Sequence, residues 1–384
     1  MARRWVIAGG GTGGHVTPAL ALGEALASRG EEVLFIGSSR GLESRLVPAA
    51  GFELVVLPSE QFMGRSLPGR LRSVFSILRS VVSAHRAIRR FRADAVLSVG
   101  GYAAMPTVLA AWLSRRPLFL VEPNAIPGRV NRLTSRLAQM VFVGFEATRT
   151  ALPPRTRSRF VGVPLRRALY KAFEKGGKSG LPTSPLRVLV FGGSQGARQL
   201  NENVPEALAR LAKNSVEVFH QAGKSDRDAV AKRYAELGLC AEVVDFEVDM
   251  PSRYRWADLA ICRAGALTVA ELALAGVPAL LVPYPFAADD HQKANAQALE
   301  FAGAARCLNA QPLDLTELAQ AVAEFITSPG RLVLMRESAV RLARPEAAGA
   351  IIDHCVAQLG GDRSQPPGAS SNSCDSEGAA CSED

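Results

Sequence analysis

Cysteine, aromatic residues and long apolar runs are scarce in this chain, and each scarcity excludes a class of protein. The 384 residues include six cysteines and no C-x-x-C pair, which argues against a zinc site or a disulfide framework and for a reducing compartment. No apolar run approaches the roughly 18–20 residues of a membrane span, and Gly9 interrupts the N-terminal apolar stretch before it resembles a signal. We therefore expect a cytosolic protein that is neither secreted nor membrane-spanning.

The composition that remains is typical of a compact protein with two domains. Apolar residues make up 48% of the chain, and 384 residues exceed what one hydrophobic core usually supports. Lys and Arg outnumber Asp and Glu by 45 to 36. This excess favours an anionic partner, which could be a nucleotide, a nucleic acid or an acidic membrane surface.

Short β-branched runs alternate with helical patterns along the chain, as in parallel α/β folds. The predicted strands are Trp5–Ala8, Val33–Ile36, Leu54–Leu57, Ala95–Val99, Leu118–Val121, Met140–Val143, Arg187–Phe191, Glu217–Gln221, Ala241–Phe246, Leu259–Cys262 and Ala279–Val282. Each half opens with a strand, a glycine-rich turn and a helix. Two Rossmann-like parallel-sheet domains facing across a cleft are therefore predicted.

The predicted domains are residues 1–163 and 164–344, with a hinge near Gly162–Pro164. A final amphipathic helix, at about 345–360, is expected to pack back on the first domain. Residues 361–384 are small and polar, and we predict that this tail is disordered because it cannot repay the entropy of ordering.

The first glycine-rich turn, Gly9 to Gly14, follows a strand and precedes a helix, so its amides should face an anion or an oxyanion in the cleft. A tight turn without a ligand would also use glycine. His15 follows at the mouth of the helix, where the positive helix end disfavours its charged form and suits a neutral base. The alternative is a histidine that merely starts the helix. A nicotinamide enzyme would need an acid after the second strand, where Gly37-Ser38-Ser39 stands instead.

The second half repeats the pattern with a hydroxyl, Ser194, in its glycine-rich turn, which suits hydrogen bonding to a phosphate. A later turn places amides from Gly265 to Thr268 at another helix start. Glu271 is one helical turn deeper on roughly the same face, where it could accept both hydroxyls of a ribose. A capping box formed by Thr268 and Glu271 has the same spacing. The sequence contains no Walker motif, and we expect no essential metal and no cofactor.

Residues 61–93 are unusual because they contain eight arginines and no acid. A helix from about Leu71 to Arg90 would carry an apolar stripe flanked by arginines, which suits docking on an anionic bilayer. This predicted stripe consists of Leu71, Val74, Phe75, Leu78, Val81, Val82 and Ile88, and the opposite face carries Ser73, Ser76, Ser80 and Ser83. The residues predicted to meet the membrane are Leu71, Arg72, Phe75, Leu78, Arg79, Val82 and Arg86. The alternative is an ordinary helix that packs its stripe on its own sheet. Nucleic acid is disfavoured because the segment lacks interleaved aromatic residues.

Six motifs occur together and in order: GGTGGH, GGY at Gly100, E-x-N-x-x-P-G-x-x-N from Glu122, GGSQGAR, CRAGALTVAE and DDHQKANA from Asp289. Over about residues 5–358 the chain closely resembles the bacterial GT-B family that transfers N-acetylglucosamine from UDP-N-acetylglucosamine to lipid I, giving lipid II for peptidoglycan. The resemblance implies a peripheral enzyme on the cytoplasmic face of the inner membrane. Cell-wall synthesis and division proteins are implied as further partners.

The resemblance also implies residue roles. In the first lobe, the donor sugar and the acceptor diphosphate would meet Thr12, Gly13 and Gly14, and Asn124 would contact the sugar. The UDP phosphates would be reached by Arg166 and Ser194, uracil would meet the backbone near Glu247, and Glu271 would hold the ribose. The nucleotide would be lined by Gly265, Ala266, Leu267, Thr268 and Val269, and the sugar hydroxyls would be oriented by Gln292 and Asn295. The chain departs from the family pattern in three places. Val121-Glu122-Pro123 stands where the family usually has His-Glu-Gln, Ala264 replaces a common serine, and Glu247 occupies a usually aliphatic position.

The expected reaction is an inverting transfer to the 4-hydroxyl of the muramyl sugar, with His15 as the first candidate for the base and Glu122 as the second. The alternatives are another UDP-sugar transferase or an epimerase of the same fold, a non-catalytic nucleotide or membrane module, and an NAD-dependent dehydrogenase.

Overall fold

The structure is a computed structural model that describes residues 2–58, 67–193, 196–309 and 311–360. The predicted 361–384 tail lies outside the described residues. The strands of the first sheet are β1 (Arg4–Gly9), β2 (Glu32–Ser38), β3 (Glu53–Leu57), β4 (Ala95–Gly100), β5 (Leu118–Glu122), β6 (Met140–Val143) and β7 (Ser158–Phe160). They lie in the order β3-β2-β1-β4-β5-β6-β7, and every pair is parallel.

The second sheet is also parallel throughout. Its strands are β8 (Leu186–Phe191), β9 (Val216–Gln221), β10 (Ala241–Val244), β11 (Leu259–Cys262), β12 (Ala279–Leu281) and β13 (Ala305–Cys307), in the order β10-β9-β8-β11-β12-β13. Helices cover both faces of each sheet, so the strands are continuous apolar runs. The predicted pair of Rossmann-like sheets is confirmed.

The helices of the first lobe are α1 (Gly13–Ala27), α2 (Glu43–Ala49), α3 (Leu67–Phe91), α4 (Met105–Leu113), α5 (Arg129–Thr134) and α6 (Thr148–Ala151). Those that follow are α7 (Arg167–Phe173), α8 (Arg198–Leu208), α9 (Arg227–Glu236), α10 (Met250–Trp256), α11 (Ala266–Ala275), α12 (His291–Phe301), α13 (Leu315–Thr327), α14 (Gly330–Leu342) and α15 (Ala347–Gly360). Short 3₁₀ helices span Tyr102–Ala104, Ser135–Leu137 and Ala288–Asp290.

Both sheets reverse their strand order next to their first strand, and this places the glycine-rich turns. In the first sheet β1 lies between β2 and β4, and in the second β8 lies between β9 and β11. Ligands of open parallel sheets bind beyond the carboxyl ends of the strands at such a reversal. The turns after β1 and β4 in one lobe, and after β8 and β11 in the other, therefore occupy the positions where a ligand is expected.

The chain crosses between the lobes near Gly162 and again near Arg344. Gly162 has φ +89°, and a Cβ there would collide with the Arg344 side chain, so the two crossings pack against each other. Helix α15 lies on the first lobe, where Ile351, Ile352 and Cys355 are buried with the apolar face of α1. The domain limits at 163 and 344 stay a prediction.

Candidate active site

The turn after β1 is fixed by hydrogen bonds to the backbone of Gly11. Its φ of +94° is a left-handed conformation that favours glycine. The Gly11 amide donates to Glu43 Oε2 at 2.8 Å, and its carbonyl accepts the Leu42 amide at 3.3 Å. Helix α1 then begins at Gly13, so the amides of Gly13 and Gly14 lie in its first turn, where helix amides lack intrahelical acceptors. This is the geometry of an anion site.

His15 lies in the same turn and is neutral at physiological pH. Burial, with a smaller effect from nearby His291, lowers the pKa of His15 to about 4 against the opposing effect of Glu43. The Thr12 hydroxyl lies 3.1 Å from Nδ1 of the imidazole. Gly101, at φ +82°, packs against the ring, where a Cβ would lie 3.6 Å from Cγ of His15. Since His291, which begins α12 of the second lobe, acts electrostatically on the imidazole, His15 lies near that lobe.

Glu122, the second candidate for the base, is fully buried at the end of β5 and binds its own loop. Oε1 accepts the backbone and side-chain amides of Asn124 at 3.0 and 3.2 Å, and Oε2 accepts Gly128 N at 2.8 Å and Asn131 Nδ2 at 3.0 Å. Burial raises the pKa of the Glu122 carboxyl, and these four donors oppose the shift. The carboxyl thus acts as the anchor of the 122–131 loop.

Asn295 joins the two lobes. It is completely buried; its Oδ1 accepts the Ala125 amide at 2.8 Å, and its Nδ2 donates to Ala264 O at 3.0 Å and to Asn124 Oδ1 at 3.3 Å. The side-chain amide of Asn295, which the resemblance assigned to the sugar hydroxyls, therefore already has hydrogen-bond partners within the protein. Gln292, three residues earlier on α12, is half-buried, and its Oε1 accepts the Tyr284 amide at 2.9 Å.

The start of α11 corrects one alternative. Gly265 is the N-cap and the helix begins at Ala266, so Thr268 is not the N-cap and the capping box is wrong. The side chains of Ala266 and Val269 are buried in the core of the lobe, whereas Leu267 and Thr268 are half-buried. The Val269 amide donates to Gly265 O at 3.0 Å, so of this buried pair only the backbone amide of Ala266, in the first turn of the helix, is in a position to line a nucleotide.

Glu271 is held by a residue that sequence reasoning did not identify. Tyr254, fully buried on α10, donates its hydroxyl to Oε2 of Glu271 at 2.7 Å. Burial raises the pKa of Glu271 to about 7, and the Tyr254 hydrogen bond opposes that shift. A carboxylate with one oxygen fixed in this way can present the other to a ligand.

The turn after β8 is joined to the loop after β10 through Gln221, a second residue that was missed. Gln221 is buried; its Nε2 donates to Gly193 O at 2.9 Å, and its Oε1 accepts the Glu247 amide at 3.0 Å. Glu247 itself accepts from Arg253 Nε at 2.7 Å. Ser194, the predicted phosphate ligand of this turn, lies outside the described residues.

Arg166 lies at the hinge and is paired across the lobes. Its Nε and Nη2 donate to Glu24 Oε1 on α1 at 2.9 and 2.6 Å. A second pair crosses the cleft where Arg129 of α5 meets Asp289, the residue that precedes α12 by two positions, at 3.1 Å. Arg166 would have to exchange Glu24 for a diphosphate to fulfil its predicted role.

Helix α3 presents two different faces. Ser80, Val81 and Ile88 are buried against the first sheet, which differs from the predicted arrangement of Val81 and Ile88 with the membrane stripe and Ser80 opposite. The packing of this face on the sheet is the physical reason. The opposite face exposes Phe75, Leu78, Arg79, Val82 and Arg86. The side chains of Leu71 and Arg72 lie outside the described part of the chain.

The end of α4 extends this exposed face. Helix α4 packs against α3, and Trp112 and Leu113 at its C-terminal end are 55% and 56% exposed, next to Arg115 and Arg116. Large exposed apolar side chains rimmed by basic residues mark interaction sites. None of the described helices is long and apolar enough to cross a bilayer. Within the described ranges, His, Cys, Asp and Glu form no cluster of three or more that could hold a metal ion.

Sequence and structure comparisons agree on one family. The profile of the glycosyltransferase family 28 N-terminal domain matches residues 5–143, and that of the C-terminal domain matches residues 187–349. Relatives include UDP-N-acetylglucosamine–N-acetylmuramyl-(pentapeptide) pyrophosphoryl-undecaprenol N-acetylglucosamine transferases. The Myxococcus xanthus protein is 42% identical over 91% of this chain and 92% of its own. The Alkalilimnicola ehrlichii protein is 44% identical over 91% and 98%.

Two solved structures are similar in fold. MurG of Acinetobacter baumannii has a TM-score of 0.76 and 34% identity, covering 92% of this chain and 99% of that one. The glycotransferase of kitacinnamycin has a TM-score of 0.66 at 20% identity, covering 92% and 99%. The second likeness bears on the fold alone.

Proposed function

The chain belongs to glycosyltransferase family 28, among its lipid I N-acetylglucosaminyltransferases, and from this premise we propose how its cleft performs the reaction. The enzyme transfers N-acetylglucosamine from UDP-N-acetylglucosamine to undecaprenyl-pyrophosphoryl-MurNAc-pentapeptide, which is lipid I, and forms lipid II for peptidoglycan. The relatives do not favour the alternative of another UDP-sugar transferase or an epimerase. The observation that carries the mechanism is a neutral imidazole, His15, near the second lobe and next to a turn rich in amides.

In the proposed mechanism the second lobe holds the donor. Uracil meets the backbone near Glu247, the ribose hydroxyls donate to Glu271, and the diphosphate lies at the start of α8, where the turn contains Ser194. Gln221 supports this arrangement because it fixes the uracil loop to the phosphate turn, and Tyr254 supports it by fixing Glu271. The amides at the starts of α8 and α11 stabilise the charge that develops on the leaving diphosphate.

The acceptor binds to the first lobe, with its diphosphate near Gly13 and Gly14 at the start of α1. The 4-hydroxyl of the muramyl sugar attacks the anomeric carbon from the face opposite the diphosphate. A bond forms between that oxygen and the anomeric carbon, the bond to the phosphate oxygen breaks, and UDP leaves with the electron pair. The hydroxyl proton passes to Nε2 of His15, since Nδ1 lies against the Thr12 hydroxyl. The product is a β-1,4 linkage.

The structure favours His15 over Glu122 as the base, because both oxygens of Glu122 accept donors from its own loop. General-base catalysis contributes roughly 10²–10⁴-fold to rate. We therefore expect His15→Ala to lower kcat by about that factor, with the affinity for UDP-N-acetylglucosamine unchanged. The assay follows labelled UDP-N-acetylglucosamine and lipid I to a β-linked disaccharide. Near-normal turnover of His15→Ala would show that the base is another group.

We also propose that the exposed face of α3, continued by the end of α4, binds the anionic surface of the membrane that carries lipid I. Each basic residue near such a surface contributes roughly 1 kcal/mol. The variant Arg79→Glu with Arg86→Glu should therefore lose at least about 2 kcal/mol, roughly thirtyfold in partition coefficient. Sedimentation with vesicles containing phosphatidylglycerol measures this loss.

The control for the membrane experiment is a pair of charge reversals on the second lobe. Lys213→Glu with Lys232→Glu changes two exposed residues by the same total charge and should leave vesicle binding almost unchanged. Equal binding of wild type and the α3 variant would contradict the docking proposal. Equal losses in both variants would show that net charge alone governs the binding. Binding to cell-wall synthesis and division proteins stays a prediction.

A further inference from the structure

A buried carboxylate lies beneath the glycine-rich turn of the first lobe. Glu43, the first residue of α2, is 1% exposed. Its Oε2 accepts the Gly11 amide at 2.8 Å, and its Oε1 accepts the Ser38 amide at 2.9 Å and the Ser38 hydroxyl at 2.6 Å. The carboxylate therefore ties the turn after β1 to the end of β2. Charge-assisted hydrogen bonds of this kind are among the stronger ones in proteins.

The surrounding backbone is built to admit this carboxylate. A Cβ at Gly37 would lie 2.6 Å from Cγ of Glu43, and a Cβ at Gly10 or Gly41 would approach the carboxyl group more closely than real Cβ atoms do. These glycines are the neighbours whose missing side chains leave the space that Glu43 occupies. The spacing Gly37-x-x-x-Gly41-x-Glu43, which begins at the end of the second strand, is the sequence signal that could have identified Glu43.

The carboxylate also controls what the turn can offer a ligand. One amide of the turn, that of Gly11, is already bound by the protein's own anion. The Leu42 amide, next to Glu43, binds the carbonyl of the same Gly11. Both polar backbone groups of Gly11 are thus fixed by the start of α2. Gly13, Gly14 and His15 come shortly after Gly11 in the chain. The orientation of the Gly11 backbone, which Glu43 fixes, therefore determines where their amides and the imidazole lie.

We propose that Glu43 is a positioning residue for the transfer reaction: its carboxylate fixes the glycine-rich turn so that the first amides of α1 and His15 are presented to the acceptor. This inference rests on the proposed function. Glu43 makes none of the contacts that hold the donor in the second lobe, so its influence falls on turnover and on the acceptor. A misplacement of about 1 Å at a reacting group can cost about 10² in rate.

Charge is a second route by which Glu43 could act, and it is separable from geometry. The titratable groups that influence His15 are His291 from α12 and Glu43 from α2, and the Thr12 hydroxyl contacts the ring. Glu43 raises the pKa of His15 against burial and His291. Loss of its charge therefore leaves His15 neutral at pH 7, so a fall in kcat cannot come from protonation of the imidazole.

The main test compares Glu43→Gln with wild type in the lipid I assay. The amide keeps the shape but turns an NH₂ towards a backbone donor. We expect kcat to fall about 10²-fold and the acceptor KM to rise. The affinity for UDP-N-acetylglucosamine, measured by calorimetry on the full chain, should stay within about twofold, because the donor binds the other lobe. Unchanged kcat in a folded Glu43→Gln protein would overturn the proposal.

A double-variant cycle tests the same inference without relying on one substitution. Gly41→Ala should reproduce the kcat loss by displacing the carboxylate, and Glu43→Ala should show a similar loss. The combined variant should then be no worse than either single one, whereas additive losses would refute a shared mechanism.

A milder variant covers the case in which Glu43→Gln does not fold. Ser38→Ala removes only the hydroxyl bond and should lower kcat a few-fold with an intact donor affinity; no change in its kcat would also count against the proposal. If wild type itself makes no lipid II, the proposed function fails instead.

Discussion

The pKa of Glu271 leads to a direct prediction about donor binding. Tyr254 occupies Oε2 of Glu271, so both ribose hydroxyls can donate strongly to the other oxygen only when the carboxyl is ionised, and burial raises its pKa to about 7. Below that pH the free enzyme must lose a proton before it binds. Donor affinity should therefore weaken by up to tenfold, about 1.4 kcal/mol, for each pH unit below about 7, and level off above it.

The assay is calorimetric titration with UDP-N-acetylglucosamine from pH 5.5 to 8.5 without acceptor. This ligand is preferable to UDP, because its diphosphate is esterified at both ends and has no terminal phosphate that would titrate with a pKa of about 6 in the same pH range. Glu271→Gln is the matched variant, and it should bind weakly with no pH dependence over the range. A wild-type affinity that does not change with pH, or a Glu271→Gln variant with full affinity, would refute the reasoning.

The same group affects stability, with a sign that can be checked. A carboxyl whose pKa is raised on folding keeps its proton in the native state while the unfolded chain loses it. The free energy of unfolding therefore falls as pH rises from about 4.5 to about 7, and the loss is complete above that pH. The full shift corresponds to about 3 kcal/mol. Glu271→Gln should be more stable than wild type at pH 8, and the gain should disappear near pH 4.5. Thermal unfolding at both pH values measures it.

Two further predictions concern residues that hold others in place. Tyr254→Phe removes the hydrogen bond that lowers the pKa of Glu271, so the midpoint of donor affinity should move to higher pH in the same titration; an unmoved midpoint would show that the hydroxyl does not support the carboxylate. Asn295→Ala leaves the Ala125 amide and the Ala264 carbonyl without their partner at the lobe junction. The free energy of unfolding, measured by calorimetry, should fall by about 1–3 kcal/mol. An unchanged unfolding temperature would contradict the role of Asn295 in joining the lobes.

Most of the fold follows from local patterns, because buried parallel strands carry continuous apolar runs. The predicted strands agree with the observed ones within one or two residues, and the last helix, predicted at Ala347–Leu359, spans Ala347–Gly360. Strands β7 and β13 were missed. Each has three residues and contains an arginine, so neither has the length or the composition of a buried strand.

The site was predictable only where a motif carries its own chemistry. Glycine-rich turns and the histidine after the first of them are visible in the sequence. The groups that support them are not, since Glu43, Gln221 and Tyr254 act through contacts between elements that are distant along the chain. For the same reason the sequence did not show that the side-chain amide of Asn295 is hydrogen-bonded to Asn124, Ala125 and Ala264. Only packing between the lobes determines such partners.

The central claim is that the two lobes hold one donor sugar between His15 and the amides of the second lobe. A crystal structure of the full chain with UDP-N-acetylglucosamine tests it most directly. The account predicts uracil beside the backbone of Glu247, the ribose on Glu271 and the anomeric carbon open towards Nε2 of His15. A nucleotide bound away from Glu271, or a sugar pointing out of the cleft away from His15, would contradict it.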